Sequence, residues 1–178
     1  MFQPTKIDGC LVGHLPSHVD GRGSFVKVFS KNITAALPID FNIKEVFLTN
    51  SWKGVIRGMH FQIPPYDHNK LIVCLAGEVD DYILDLRRKS KTYGQTLKTT
   101  LSETSNCVFI PRGCAHGFAT LSEQAQLCYF IDSDYSPEHD KGILWNSIGI
   151  DWAIEAPIVS TRDQDFPALG EYNSPFID

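Results

Sequence analysis

The sequence predicts an all-β fold, a sandwich or small barrel of short strands with few helices. Short runs rich in β-branched and aromatic residues recur at intervals of about 8–15 residues. Turn residues such as Gly, Pro, Asn and Asp separate these runs. Helical patterns are scarce: the segment Ser30 to Leu37 has the pattern of a short helix, which Pro38 ends.

The seven predicted strands lie in the middle of the chain, between residues 54 and 131. They are Gly54 to Phe61, Lys70 to Ala76, Val79 to Leu86, Thr96 to Leu101, Cys107 to Ile110, Gly117 to Leu121 and Ala125 to Ile131. Two turns are predicted between neighbouring strands, at 76–78 and 91–94. From Ser136 onward the chain is rich in proline and predicted to be mostly irregular. We therefore expect a single domain over residues 1–178, in which 136–178 form a wrapping C-terminal extension.

Composition limits the classes of function. The chain has 178 residues, 43% of them hydrophobic and 21% charged, which is ordinary for a globular domain with its own core. The formal net charge of −5 argues against a nucleic-acid partner. An anionic small ligand stays compatible with this charge, because a local group of Arg and Lys can oppose the global sign.

The cysteines and the N-terminus predict a cytoplasmic location. The chain has five cysteines, an odd number, at wide spacings and without a Cys-x-x-Cys pair. A disulfide framework and a zinc knuckle are therefore not expected. Residues 1–10 lack the basic start and apolar stretch of a signal peptide. No apolar run approaches the roughly 20 residues that span a bilayer, so we expect no membrane association.

The segment Gly54-Val55-Ile56-Arg57-Gly58-Met59-His60-Phe61-Gln62 combines a guanidinium and an imidazole. Side chains alternate along a strand, so Arg57 and His60 point to opposite faces unless a bulge intervenes, and Gly54 and Gly58 favour a bulge. A base beside an anion-binding group indicates an enzyme with a charged substrate. A buried structural histidine and a surface arginine are the alternative interpretation.

Two signatures resemble the cupin superfamily, whose fold is a β jelly roll. Gly54 and His60 match the start of the first signature, and Pro111-Arg112-Gly113-Cys114-Ala115-His116 matches the second. Metal cupins have a second histidine two positions after the first, where this chain has Gln62. His60 and His116 alone are too few ligands for a divalent metal. The resemblance implies a cupin-like β jelly roll with a few short helices and an irregular C-terminal tail, and we expect no metal and no cofactor.

A series of further motifs runs through the chain from Asp20 to about Leu169. They are Asp20-Gly21-Arg22-Gly23-Ser24-Phe25, the 54–62 segment, Lys70-Leu71, Gly77-Glu78-Val79, Asp85-Leu86-Arg87, Ile110-Pro111, Ala115-His116-Gly117-Phe118, Tyr129, Tyr135-Ser136-Pro137 and Gly142-Ile143-Leu144-Trp145-Asn146. In their order and spacing, these motifs resemble the dTDP-4-dehydrorhamnose 3,5-epimerase family. The resemblance implies inversion of carbons beside the C4 ketone of a nucleotide-linked 6-deoxy sugar, without a metal or redox cofactor. It places the chain in deoxysugar biosynthesis, for a cell-surface polysaccharide or a glycosylated product.

The resemblance also implies roles for individual residues. His60 matches the base, and Asp163 matches the carboxylate that orients it. Tyr129 matches the acid that returns a proton from the other face, and Lys70 matches a cation near the sugar C4 oxygen, where enolate charge develops.

Substrate-binding residues follow from the same resemblance. Arg57 matches a contact to the diphosphate. His116, with Asp81 orienting it, Gln62 and Arg162 are also assigned to the cavity. The family is usually a homodimer, and Arg22 and Phe25 match nucleotide contacts that the second subunit contributes.

Five positions depart from the family pattern, most of them where it holds the nucleotide base. They are Lys27, Glu45, Phe47, Phe130 and Asp134. Our hypothesis is that the nucleotide differs, with GDP or CDP in place of dTDP. The loop Pro64 to Asn69 before Lys70 is expected to shape the sugar pocket, and whether C3, C5 or both are inverted stays open.

Three other functions are compatible with the residues. A ketoisomerase on a nucleotide sugar uses the same first proton transfer. A metal-dependent cupin, either an oxygenase or a sugar isomerase, is a second alternative. The third is a non-catalytic sugar-binding jelly roll, against which the combination of His60, Asp163 and Tyr129 argues.

Overall fold

The computed structural model describes residues 2–103 and 106–177. Their strands, in chain order, are β1 (Phe2–Pro4), β2 (Leu11–Gly13), β3 (Ser17–Asp20), β4 (Gly23–Val26), β5 (Glu45–Trp52), β6 (Ile56–Gln62), β7 (Lys70–Ala76), β8 (Val79–Asp85), β9 (Thr96–Leu101), β10 (Cys107–Ile110), β11 (Cys114–Thr120), β12 (Gln124–Ile131) and β13 (Asp140–Gly142). Two four-residue helices are present, α1 (Lys31–Thr34) and α2 (Thr161–Gln164). Trp145–Ser147 and Leu169–Glu171 form 3-10 turns.

Two antiparallel sheets form the body of the molecule. One has six strands in the order β1-β2-β10-β7-β12-β5, and the other has five in the order β13-β6-β11-β8-β9. Apolar side chains from both sheets, including Ile72 and Leu127 from the first and Ile83 and Phe118 from the second, share one buried cluster. The sheets therefore face each other across a common core, as in a jelly roll. β3 and β4 form a separate two-stranded hairpin.

The predicted all-β jelly-roll fold is confirmed, and the central strands match their predicted bounds closely. β7, β9 and β10 have the predicted limits, whereas β11 begins three residues before the predicted Gly117, at Cys114. The sequence did not predict β5, because exposed Val46 and Leu48 obscure the usual alternation of apolar and polar residues. The predicted helix Ser30–Leu37 is shorter, with the Ser30 hydroxyl accepting from the Ile33 amide as its N-cap.

The C-terminal segment packs on the outer face of the five-stranded sheet. β13 pairs with β6 at its edge. Ile143, Ile148, Trp152 and Phe176 join Met59 and other side chains of the sheet in a second buried cluster. This packing carries α2 back to the start of β6, and so brings a residue late in the chain next to His60.

A register shift in β6 places Arg57 and His60 on the same side. His60 pairs with His116 and Arg57 pairs with Phe118, so two residues of β6, Gly58 and Met59, lie opposite one residue of β11. Gly58 lies within the shift at a φ of 139°, a conformation that favours glycine. A Cβ on Gly58 would collide with the Gly117 backbone. The predicted bulge is therefore present, and both functional side chains reach one cavity.

No helix within the two described ranges combines the length and the apolar character that a bilayer crossing requires.

Candidate active site

A cavity of about 240 Å³ opens between the two sheets. Strands β6 and β11 line it on one side, and β5, β7 and β12 on the other. The C-terminal segment closes one end. The lining residues are Glu45, Phe47, Thr49, Arg57, His60, Phe61, Gln62, His68, Lys70, His116, Phe118, Tyr129, Ile131, Tyr135, Asp140 and Arg162. The cavity thus contains most of the side chains that the sequence assigned to the site.

His60 and Asp163 form a hydrogen-bonded pair at the cavity wall. His60 Nε2 lies 2.7 Å from Asp163 Oδ1, and the Gly58 amide donates to Asp163 Oδ2 at 3.0 Å. Burial opposes ionisation of Asp163, but the bonds from His60 and Gly58 outweigh it and hold the pKa of this carboxyl below its ordinary value. An ionised carboxylate only accepts, so Nε2 carries the hydrogen and Nδ1 of His60 keeps a lone pair.

A second histidine–carboxylate pair lies on the neighbouring strands. His116 Nε2 lies 2.7 Å from Asp81 Oδ2, and both side chains are almost completely buried. Burial lowers the pKa of His116 and raises the pKa of Asp81. His116 is the cross-strand partner of His60, so the two imidazoles belong to adjacent positions of one sheet.

Lys70 brings a buried cation into the cavity from the six-stranded sheet. Its Nζ donates to the carbonyl oxygen of His60 at 3.1 Å, and this bond joins the two sheets. Burial lowers the pKa of Lys70 to about 8. An ammonium has three hydrogens to donate, so the bond to His60 leaves donors for a ligand in the cavity.

Tyr129 lies on β12, in the sheet opposite to that of His60. Its ring stacks on Phe47, its cross-strand neighbour, with centroids 4.6 Å apart and an angle of 9° between the planes. The His116 ring meets it edge-on at 6.0 Å. Burial raises the pKa of Tyr129, so the phenol keeps its proton at neutral pH.

Arg57 and Arg162 place two guanidinium groups at the cavity. A hydrogen bond orients the Arg57 side chain, because its Nε donates to Ser51 Oγ at 3.0 Å. Arg162 pairs with Asp140 at 2.6 Å. Glu45 and Asp140 also line the cavity, and Asp140 is the partner of Arg162, so Arg57 and Lys70 are the cations best placed for a phosphate or diphosphate.

Gln62 lines the cavity, but its amide binds two backbone segments around it. It donates to the carbonyl oxygens of Tyr66 and Asp134 and accepts from the Ser136 amide at 2.7 Å. Gln62 therefore fixes the 64–69 loop against the 134–136 segment. Through this loop His68 reaches the cavity, and burial lowers the pKa of His68 to about 3.

Arg22 and Phe25 lie outside this cavity. Both are on the exposed β3–β4 hairpin, where Arg22 pairs with Asp20 at 2.6 Å. The Phe25 side chain is 61% exposed. Within one chain, the structure does not bring these two residues to the other site residues.

Two of the departures from the family pattern line the cavity, namely Glu45 and Phe47 on β5. Lys27, Phe130 and Asp134 are not among the lining residues. Sequence reasoning missed Thr49 and Asp140. Thr49 lies on the same side of β5 as Glu45 and Phe47, because side chains alternate along a strand. Predicting a strand at these positions would therefore have identified Thr49 as a lining residue. Asp140 carries no comparable signal.

The donor set around His60 does not fit a divalent metal. Both histidines direct Nε2 at carboxylates, and the Gln62 amide is used by backbone groups. Within residues 2–103 and 106–177, no three His, Cys, Asp or Glu side chains come together as a ligand set.

Comparisons with known proteins agree with this geometry. Residues 4–171 match the family described as dTDP-4-dehydrorhamnose 3,5-epimerase. The Shigella flexneri enzyme of that name is 36% identical over 163 residues, 89% of this chain and 90% of that protein. A dTDP-4-dehydrorhamnose 3-epimerase from Streptomyces niveus is 34% identical over 174 residues, 96% of this chain and 84% of that one.

A solved structure extends the likeness to three dimensions. The dTDP-6-deoxy-D-glucose-3,5-epimerase of Legionella pneumophila, in complex with dTDP-4-keto-L-rhamnose, superposes with a TM-score of 0.92 at 31% identity. The match covers 99% of this chain and 96% of that chain. With its jelly roll and its pair of histidine–carboxylate dyads, this chain belongs to the dTDP-4-dehydrorhamnose 3,5-epimerase family.

Proposed function

We propose that this cavity epimerises a nucleotide-linked 4-keto-6-deoxy sugar next to its ketone, with His60 as base and Tyr129 as acid. One observation carries the assignment: His60 and Tyr129 enter the cavity from facing sheets. Inversion at carbon requires removal of a proton from one face and its return to the other. A base and an acid on opposite walls meet that requirement.

The proton transfers follow from the protonation states. His60 Nδ1 takes the proton from the carbon beside the ketone. The electron pair of that C–H bond forms a double bond to C4, and the π pair of the C4 ketone moves onto its oxygen, which gives an enolate. Asp163 stabilises the imidazolium through Nε2–H. Tyr129 then gives its phenolic proton to the opposite face of the carbon. The tyrosinate regains a proton from solvent, and the His60 imidazolium releases its proton to solvent, so both groups return to their starting states. Lys70 donates toward the enolate oxygen, where negative charge develops, and His116 lies in the wall of the same cavity.

The nucleotide end of the substrate is assigned to the cationic rim. Arg57 binds the diphosphate, and Arg162 assists it, while Gln62 shapes the wall. We assign the base of the nucleotide to a second subunit, through Arg22 and Phe25 of its hairpin. The exposed hairpin supports a homodimer. So does β5, an edge strand on which Val46 and Leu48 are more than half exposed. No metal or other cofactor takes part in this mechanism.

Incubation in D2O with a panel of dTDP-, GDP- and CDP-linked 4-keto-6-deoxy sugars, read by NMR, tests the activity. We expect deuterium at C3, C5 or both, with the ketone kept at C4. A shift of the ketone to another carbon indicates a ketoisomerase instead. Tightest binding of dTDP contradicts the hypothesis that the departures from the family pattern select another nucleotide.

Two variants separate the roles of base and acid. His60→Asn is expected to lower both exchange and inversion by ~100-fold or more, with binding of the nucleotide sugar preserved. Tyr129→Phe is expected to keep exchange and lose inversion, because His60 alone returns the proton to the face it came from. Equal loss of both processes in Tyr129→Phe would remove Tyr129 from the role of opposing acid.

We retain the prediction of a cytoplasmic enzyme. All five cysteines are buried and unpaired, as a reducing compartment leaves them.

A further inference from the structure

Phe47 makes the closest ring contact of the proposed acid. The two rings are nearly parallel, at 9° and 4.6 Å, and Phe47 lies directly opposite Tyr129 in the antiparallel pair of β5 and β12. Tyr129 is thus held between Phe47 on one side and the edge of His116 on the other. A cross-strand aromatic pair of this kind restricts the side-chain rotation of both partners.

Burial distinguishes this pair from ordinary core packing. Tyr129 is 6% exposed, whereas Phe47 is 38% exposed and lines the open cavity. A phenylalanine with that exposure adds little to the core between the sheets, and it is absent from the three apolar core clusters of the described residues. Its main described ring contact is the acid itself.

Stereochemistry gives this contact a consequence. After His60 has taken the proton, the enolate has two fates: a proton from Tyr129 on the far face completes inversion, and a proton from His60 on the near face restores the starting configuration. The ratio of inversion to return depends on how well the phenolic hydroxyl of Tyr129 is oriented toward the carbon.

We propose that Phe47 is a positioning residue that stacks on Tyr129 and thereby directs the enolate toward inversion instead of return. This inference rests on the proposed function. It assigns Phe47 to the acid and not to recognition of the nucleotide base.

The test measures the ratio of exchange without inversion to inversion, in D2O, for wild type and Phe47→Leu. Loss of an aromatic stack predicts a rise of about three- to tenfold in this ratio. Phe47→Tyr keeps the stack and is expected to restore the wild-type ratio. A Phe47→Leu variant that loses rate while the ratio stays unchanged would refute the proposal, because that result indicates a general structural role.

The neighbouring residue of β12 provides a matched control. Phe29 stacks on Phe130 at 6.2 Å and 23°, as Phe47 stacks on Tyr129, and Phe29 does not line the cavity. Phe29→Leu removes a comparable contact from the same strand and is expected to leave the ratio unchanged. A similar rise in Phe29→Leu would attribute the effect to β12 as a whole and overturn the proposal.

A second measurement does not require turnover. With 3-fluorotyrosine incorporated and the Tyr129 signal assigned by Tyr129→Phe, the 19F resonance reports the ring environment. We expect Phe47→Leu to move this resonance toward that of exposed tyrosine, and Phe29→Leu to leave it in place. An unmoved resonance in Phe47→Leu excludes positioning by Phe47. Absence of exchange by wild type counts against the proposed function alone.

Discussion

At the scale of single residues, hydrogen bonds set the protonation of the buried carboxyl and burial that of the phenol. Asp163 is held ionised by bonds from His60 and Gly58, which leaves Nδ1 of His60 free to accept. Tyr129 stays protonated because burial raises its pKa. These two states are the ones that a base and an opposing acid need, and neither requires a bound cofactor to create it.

The lowered pKa of Lys70 predicts a loss of activity at high pH. The cation is the useful form, so its deprotonation as pH rises through about 8 removes charge from the enolate site. We expect kcat/KM to fall about tenfold per pH unit above that value, since kcat/KM reports the free enzyme.

Lys70→Arg is the matched variant for this prediction. A guanidinium stays charged above pH 12, so the variant is expected to be less active but to keep its activity beyond pH 9. The measurement is a kcat/KM profile from pH 6 to 10 for both proteins. If kcat/KM of Lys70→Arg falls above about pH 8 as it does in the wild type, the loss of activity is caused by a group other than Lys70.

At the scale of the elements, β6 carries the site because its register is broken at one place. The shift at Gly58 turns Arg57 to the side of His60 and presents the Gly58 amide to Asp163. The sequence predicted this bulge from the glycines, and it predicted the central strands because their apolar runs are buried on both faces. It did not locate β5, whose outward residues are exposed.

Gly58→Ala tests the dependence on this bulge. The added Cβ meets the Gly117 backbone, and φ of 139° is strained for alanine, so we expect a loss of ~2 kcal/mol or more in the free energy of unfolding. Gly94→Ala is the control, because Gly94 also has positive φ, at 75°, but nothing lies within 4 Å of an added Cβ. Urea denaturation of both variants separates collision from backbone strain. If Gly58→Ala and Gly94→Ala lose the same free energy of unfolding, the collision with the Gly117 backbone is not the cause of the loss in Gly58→Ala.

At the scale of the whole molecule, one chain assembles both histidine–carboxylate pairs but leaves its β3–β4 hairpin outside the cavity. Asp163 lies more than a hundred residues beyond His60 and reaches it only because the C-terminal segment packs on the sheet. No local spacing predicts such a contact, and only the family resemblance indicated it. The same resemblance assigned Arg22 and Phe25 to a neighbouring subunit, which stays a prediction.

Charged substitutions on β5 test the dimer. Val46→Asp with Leu48→Asp places two carboxylates on an exposed apolar edge strand, and we expect the dimer dissociation constant to rise at least ~100-fold. Activity is expected to fall with the dimer, because the proposed site takes Arg22 and Phe25 from the partner. Sedimentation velocity and turnover are measured on the same samples.

Tyr93→Asp is the control for this experiment, since Tyr93 is also exposed but lies in the turn before β9. It is expected to change neither assembly nor turnover. A fully active monomer of the Val46→Asp, Leu48→Asp variant would show that the site is complete within one chain.

The position of β5 at the rim of its sheet has a consequence for how such an enzyme diversifies. The strands that carry His60, Lys70 and Tyr129 are hydrogen-bonded on both sides, so changes in them disturb neighbours in two directions. β5 has one bonded side, and it presents Glu45 and Thr49 to the same cavity. We therefore expect substitutions at Glu45 and Thr49 to alter the cavity wall at less cost to the sheets than substitutions on β6, β7 or β12.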